Sequence, residues 1–182
     1  MAENFIDEVQ RFGALSSEEC SLLAEMRPTM EKIAPKMVDA FYAQLEKFDR
    51  THEILHAKPG RLDALRRHLL KWLVGLADGR YDLAHFEERY RIGKRHVEVG
   101  LEPRFVVAAM SFCRHLAAPL IAAEYAGDPR LAERWLALDK SMDIDLNIML
   151  QSYDDQRIHQ FLEVTGFSKE LFENMISSSA GA

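Results

Sequence analysis

The chain has 182 residues, 48% apolar and 29% charged, which is the composition of one soluble globular domain with a buried core. A net charge of −6 argues against nucleic acid as a partner, since phosphates call for a basic surface. No apolar N-terminal stretch and no run of 18 apolar residues marks a signal peptide or a membrane span, and Cys20 and Cys113 stand in no disulfide framework, as in a cytoplasmic protein.

The pattern is helical from near the start. Ser16-Ser17-Glu18-Glu19 predicts a capping box, with Leu22, Leu23 and Met26 as the apolar face behind it. A second segment, about 29 to 48, sets Ile33, Met37, Phe41, Leu45 and Phe48 at helical spacing, with Pro35 starting its regular part or kinking it. Lys58-Pro59-Gly60 breaks the chain. Leu62, Leu65, Leu69, Trp72, Leu73 and Leu76 then line one face to about residue 77, and Asp78-Gly79 ends that helix. A shorter, charged helix covers 83–98 and stops at Gly100. Pro103 suits the first turn of the next, which carries Phe105, Val106, Ala109, Phe112, Leu116 and Leu120.

Asp128-Pro129 predicts an N-cap followed by an N1 proline, and Leu131, Trp135, Leu138, Met142, Leu146, Met149 and Tyr153 continue by threes and fours. Beyond Tyr153 the chain turns polar, yet Phe161, Val164, Leu171 and Met175 keep a narrow seam suited to a dimer or to a connection onward; the alternative is a last helix folded back on the core. Gly166 costs roughly 1 kcal/mol against alanine if it is helical. The break-off at Ala182 is consistent with a fragment of a longer protein. No alternating β pattern occurs, and the fold class is all-α.

Several motifs compete for the chemistry. His52-Glu53-Ile54-Leu55-His56 matches H-E-x-x-H, in which two histidines on one helix face bind zinc beside a glutamate base. It sits between Asp49-Arg50 and Lys58-Pro59-Gly60, with barely two turns of helix, no third ligand in view and no candidate strand to hold a peptide. A polar connecting segment is the better reading. A di-iron bundle fails on count, because only Glu53 and His56 have the pair spacing. Neither phosphate-binding glycine loops nor a Gly-x-Ser-x-Gly elbow occurs.

Single histidines remain: His68, His85, His96, His115 and His159. His96 stands apart because Gly100 and Pro103 close a turn behind it. A haem iron needs a neutral imidazole giving Nε2, with Nδ1–H held by a backbone carbonyl or similar group. Spacing alone leaves that role open.

The stretch FEERYRIGKRHVEVGLEPRFVVAAMSF resembles the sensor globin of globin-coupled sensors and the related protoglobins, whose I-G-x-x-H-x-x-x-G-L-x-P segment stands here as Ile92, Gly93, His96, Gly100, Leu101 and Pro103. MVDAFYAQLEKF is similar to the family's second globin helix, whose distal tyrosine falls at Tyr42. The likeness covers roughly residues 16 to 155. It implies a globin fold with an extra N-terminal helical segment and an extended C-terminal helix, divided into a haem-binding domain over 1–155 and a linker over 156–182.

His96 is then the proximal ligand of a haem b, held without covalent bonds, since no Cys-x-x-Cys-His is present. Tyr42 faces the distal side with Leu65 and Leu69, and Arg66, Arg67, Lys94 and Arg95 are candidates for the propionates. The resemblance implies sensing of O2, with CO or NO as further ligands, in a homodimer paired through helices 104–123 and 130–153. The signal passes to a C-terminal histidine kinase, diguanylate cyclase or chemotaxis transducer. None of their catalytic motifs lies here, so this chain is not itself an enzyme on that reading. Two other classes stand beside it: a self-contained haem enzyme such as a nitric oxide dioxygenase or peroxidase, and a haem-free helical dimerisation module.

Overall fold

Ser16 opens the first long helix as its neighbours require: its hydroxyl accepts from the Glu19 backbone N–H, and the Glu19 carboxylate accepts from the Ser16 backbone N–H. The structure is a computed structural model that describes residues 8, 11–13 and 15–180, with side chains through residue 178. Most of the expected N-terminal segment lies outside the described residues, although 8 and 11–13 are helical.

The helix that follows, α1 (Ser17–Leu45), joins the two segments read separately from the sequence. Pro28 and Pro35 lie inside it, where a proline interrupts the helix hydrogen bonds at a cost of about 3 kcal/mol or more. Both prolines are exposed, seven residues apart and so on one face. The carbonyls they leave without a helix donor belong to exposed Ala24 and Glu31, and the opposite face buries Leu23, Met26, Met30, Ile33 and Met37 almost completely. Burying each such side chain stabilises by roughly 1.5–3 kcal/mol, which offsets the two breaks.

After α1 come α2 (Asp49–His56), α3 (Arg61–Gly75), α4 (Leu83–Glu98), α5 (Pro103–Glu124), α6 (Leu131–Thr165) and α7 (Lys169–Ala180), with no strand among the described residues. Phe48 is not on the α1 face as its spacing suggests; it is the exposed residue before α2. Asp128 is also not an N-cap. Its carboxylate accepts from the backbone N–H of Arg130 and from the Arg134 guanidinium, and α6 starts only at Leu131, with Pro129 in the turn.

The core lies where α1 packs against α3, α5 and α6, and α6 in turn against α4 and α5. Helix α5 is long and apolar enough to cross a membrane by length and composition. Here it is a core helix with Val106, Met110, Cys113, Ala117 and Ile121 buried, and its Arg114 is paired with Asp139 and Asp143 of α6.

Helix α6 is 35 residues long, but its buried positions stop at Tyr153. Gly166 is not helical: it takes φ +70° and caps α6, so the alanine comparison made from the sequence does not apply. The segment beyond it does not fold back on the core. Phe167, Leu171, Met175 and Ile176 are all exposed, as is Val164 just before the cap.

Candidate functional site

Helices α3 and α4 belong to different sides of the molecule, α3 resting on α1 and α4 on α6. They meet where the last turns of α3 reach the first half of α4, through the Lys71–Glu88 ion pair at 2.6 Å and a group of polar side chains beneath it. Asp145 of α6 is wholly buried there. One carboxylate oxygen accepts from Trp72 Nε1 at 2.8 Å and Arg89 Nε at 2.6 Å, while the other lies 2.8 Å from His85 Nε2. Arg89 is only 3% exposed, so its charge needs this partner. This group was missed in the sequence. Its one signal was an aspartate on the stripe of Leu138, Met142 and Met149, a face that is otherwise apolar.

About two turns further along α4, the arrangement is reversed. Nδ1 of His96 is buried and has no hydrogen-bond partner. Burial holds this imidazole below its ordinary value, hence neutral; the Ile92 carbonyl one turn back acts the other way without closing a bond. A buried polar atom left unpaired costs about 1–3 kcal/mol.

The backbone around His96 is nonetheless well held. Gly100 takes φ +68°, the Gly100 N–H donates to the Val97 carbonyl at 2.9 Å and the Leu101 N–H to the His96 carbonyl at 3.0 Å, which together form a Schellman cap. Tyr153 of α6 donates to the Leu101 carbonyl at 2.8 Å, and Arg50 reaches the Gly100 carbonyl at 3.4 Å. One turn before His96, Gly93 lets α4 lie directly on α6. A Cβ at Gly93 would stand 2.0 Å from Ser152 Oγ and 2.7 Å from the Met149 carbonyl oxygen.

Across from α4, Tyr42 of α1 is 6% exposed, and burial pushes its phenol well above the usual range, so the OH keeps its proton. Its ring meets Phe41 edge-on and carries the Arg66 guanidinium 5.7 Å from its centre. Among the described residues the hydroxyl makes no hydrogen bond. Leu62, Leu65, Leu69 and Leu70 of α3 are only half-buried, while Trp72 and Leu73, further along, are buried. Leu65 and Leu69 pack on the same apolar body as Tyr42, and so do Ile92, Val97 and Leu101 from around His96.

The four basic candidates separate. Arg66 is engaged by Asp39 and by the Tyr42 ring, and Arg95 pairs with Glu98 at 2.6 Å. Arg67 and Lys94 are exposed and have no partner among the described residues.

A neutral imidazole with no side-chain partner, a proton-bearing phenol and a half-covered apolar seam fit a haem, which would take Nε2 of the histidine and cover the leucines. The fold is that of a globin. The Protoglobin family pattern matches residues 3–170, and the chain belongs to this family. It is a globin domain of the globin-coupled-sensor type, similar to the globin domain of the Geobacter sulfurreducens globin-coupled sensor: TM-score 0.75 and 29% identity, over 81% of this chain and 96% of that one.

The ferric globin domain of Escherichia coli DosC shares the fold at TM-score 0.68 and 14% identity, over 80% of this chain and 97% of that one. The heme-based aerotactic transducer HemAT of Halobacterium salinarum is 26% identical over 94% of this chain, which spans only 37% of that protein's length.

Proposed function

We propose that residues 1–155 form the haem-binding sensor domain of a cytoplasmic gas receptor and that 156–182 form its linker to an output module. The observation that carries this is the buried, unpartnered Nδ1 of His96 on a helix end whose backbone is fully capped. Such an end positions a side chain while leaving its ring free for a ligand. Haem b, when bound, supplies an iron that takes diatomic gases.

The rest falls to the chain. His96 stays neutral and offers Nε2 to the iron, and a small turn of the ring would let Nδ1–H donate to the Ile92 carbonyl one turn back. Leu65 and Leu69 keep water and anions from the distal side. Tyr42 donates its unused OH to a ligand carrying partial negative charge, which favours O2 over CO. Arg67 and Lys94 are free to meet the propionates.

HemAT supports the sensing role, as its name is that of a heme-based aerotactic transducer. For this chain the output would be a chemotaxis transducer, a histidine kinase or a diguanylate cyclase, and the domain itself has no catalytic role. Movement at His96 has two routes into α6: Tyr153, on the Leu101 carbonyl, and Ser152, against Gly93. Helix α6 then leads directly to the linker. Exposed Val107 on α5 and Leu136 on α6 suit these helices to pairing with a second copy.

The purified chain should show a strong Soret band that shifts on reduction and again under O2 and under CO. A colourless protein that takes up no haem when it is offered would end this reading.

A further inference from the structure

We propose that Glu46, His52 and His56 form a binding site for a divalent transition-metal cation, zinc foremost, at the corner between α1 and α2. The two histidines are four residues apart on α2, and their rings lie side by side with centres 4.5 Å apart. Glu46, the cap residue of α1, reaches both: one carboxylate oxygen is 2.6 Å from His52 Nδ1 and the other 2.8 Å from His56 Nε2. The third ligand that the H-E-x-x-H motif lacks in the sequence is thus supplied from before the motif.

The geometry is close to what zinc requires. Bonds of about 2.0–2.2 Å in a tetrahedron set ligand atoms roughly 3.3–3.6 Å apart. The three donor atoms already lie within 4.8 Å of one another, so small side-chain rotations would close them on one ion. Without metal, each imidazole donates to one Glu46 oxygen. On binding, each ring turns that nitrogen's lone pair to the cation and carries its proton on the other nitrogen, and the carboxylate brings the negative charge. Two imidazoles and one carboxylate favour zinc or copper over magnesium or calcium.

Both histidine side chains are about half exposed and Glu46 about one-third, so an ion enters from solvent and keeps a fourth position for water. Glu53 plays no part: it is turned to Arg50 at 3.8 Å. The site binds metal without the general base of a peptidase. It also ties α2 to the end of α1 one turn past Tyr42, whose carbonyl accepts the Glu46 N–H at 3.0 Å.

Calorimetric titration of zinc chloride into the untagged chain tests this. One equivalent should bind with micromolar affinity or better. His52→Ala, His56→Ala and Glu46→Gln should each weaken binding by more than the roughly tenfold that even outer-sphere changes cost, while Glu53→Gln leaves it within twofold. The site is refuted if no zinc binds below millimolar concentration, if binding survives in the His52→Ala/His56→Ala double variant, or if Glu53→Gln abolishes it while Glu46→Gln does not. All four side chains are at least one-third exposed or nearly so, and unchanged helical circular dichroism in the variants separates lost ligands from lost fold.

Discussion

Helix α4 carries two buried nitrogen-bearing groups about two turns apart that are treated in opposite ways. At Arg89, near its first half, every group around Asp145 is answered: indole, guanidinium and imidazole share one carboxylate in a sealed space. At His96, near its end, the ring nitrogen is buried and unanswered, and across the core the Tyr42 hydroxyl is unused as well. The contrast separates polar groups that hold the fold from groups that no neighbour satisfies. Stabilising polar groups satisfy one another, so a buried group left unsatisfied is the place to test for a ligand.

The largest effect is expected at the unsatisfied end. His96→Ala should abolish haem uptake and the Soret band while leaving the helical content and melting temperature of the haem-free protein almost unchanged, because the packing lost with the ring is offset by removal of an unpaired buried nitrogen. Unaltered haem binding and spectrum would remove His96 from its role. Next is the satisfied end. Asp145→Ala leaves the buried Arg89 charge with only Glu88 at 3.4 Å and strips the indole and imidazole of their acceptor, which should cost about 3 kcal/mol and lower the melting temperature by roughly 10 °C. A fall of only a degree or two would show that water enters and that the two ends differ less than their contacts indicate.

Between them lies Gly93, which sets how closely α4 approaches α6. Gly93→Ala should cost about 1–3 kcal/mol through the clash with Ser152 and Met149, read in a denaturant titration. Tyr42→Phe is smaller in stability, within about 0.5 kcal/mol, since no bond within the chain is lost. Its effect should appear as faster O2 release in stopped flow, with CO release nearly unchanged; equal changes for both gases would mean that the OH does not touch the ligand. The smallest expected effect is chemical. Burial pushes the Cys113 thiol up to about 12, so its reactive thiolate should be scarce even at pH 9, and alkylation should reach it only after unfolding. Cys20, half-buried and raised less, should react first.

What the sequence determined by itself is local. The Ser16 capping box, the 83–98 helix, the turn at Gly100 and the start at Pro103 all appear where their residues predict, because caps and turns are made within four or five residues. The family pattern singled out His96, Tyr42, Leu65 and Leu69 as the candidate site, while helical period placed Leu65 and Leu69 on one apolar helix face. Tertiary structure alone decided the rest. Pro28 and Pro35 remain inside one helix because the far side of that helix is buried by α3, α5 and α6. Asp145 finds partners 56, 60 and 73 residues away, and no local rule reaches that far. Glu46 meets His52 and His56 only because the chain turns between α1 and α2. Residue type and period say what a side chain can do; the packing of distant helices decides which groups find a partner and which do not.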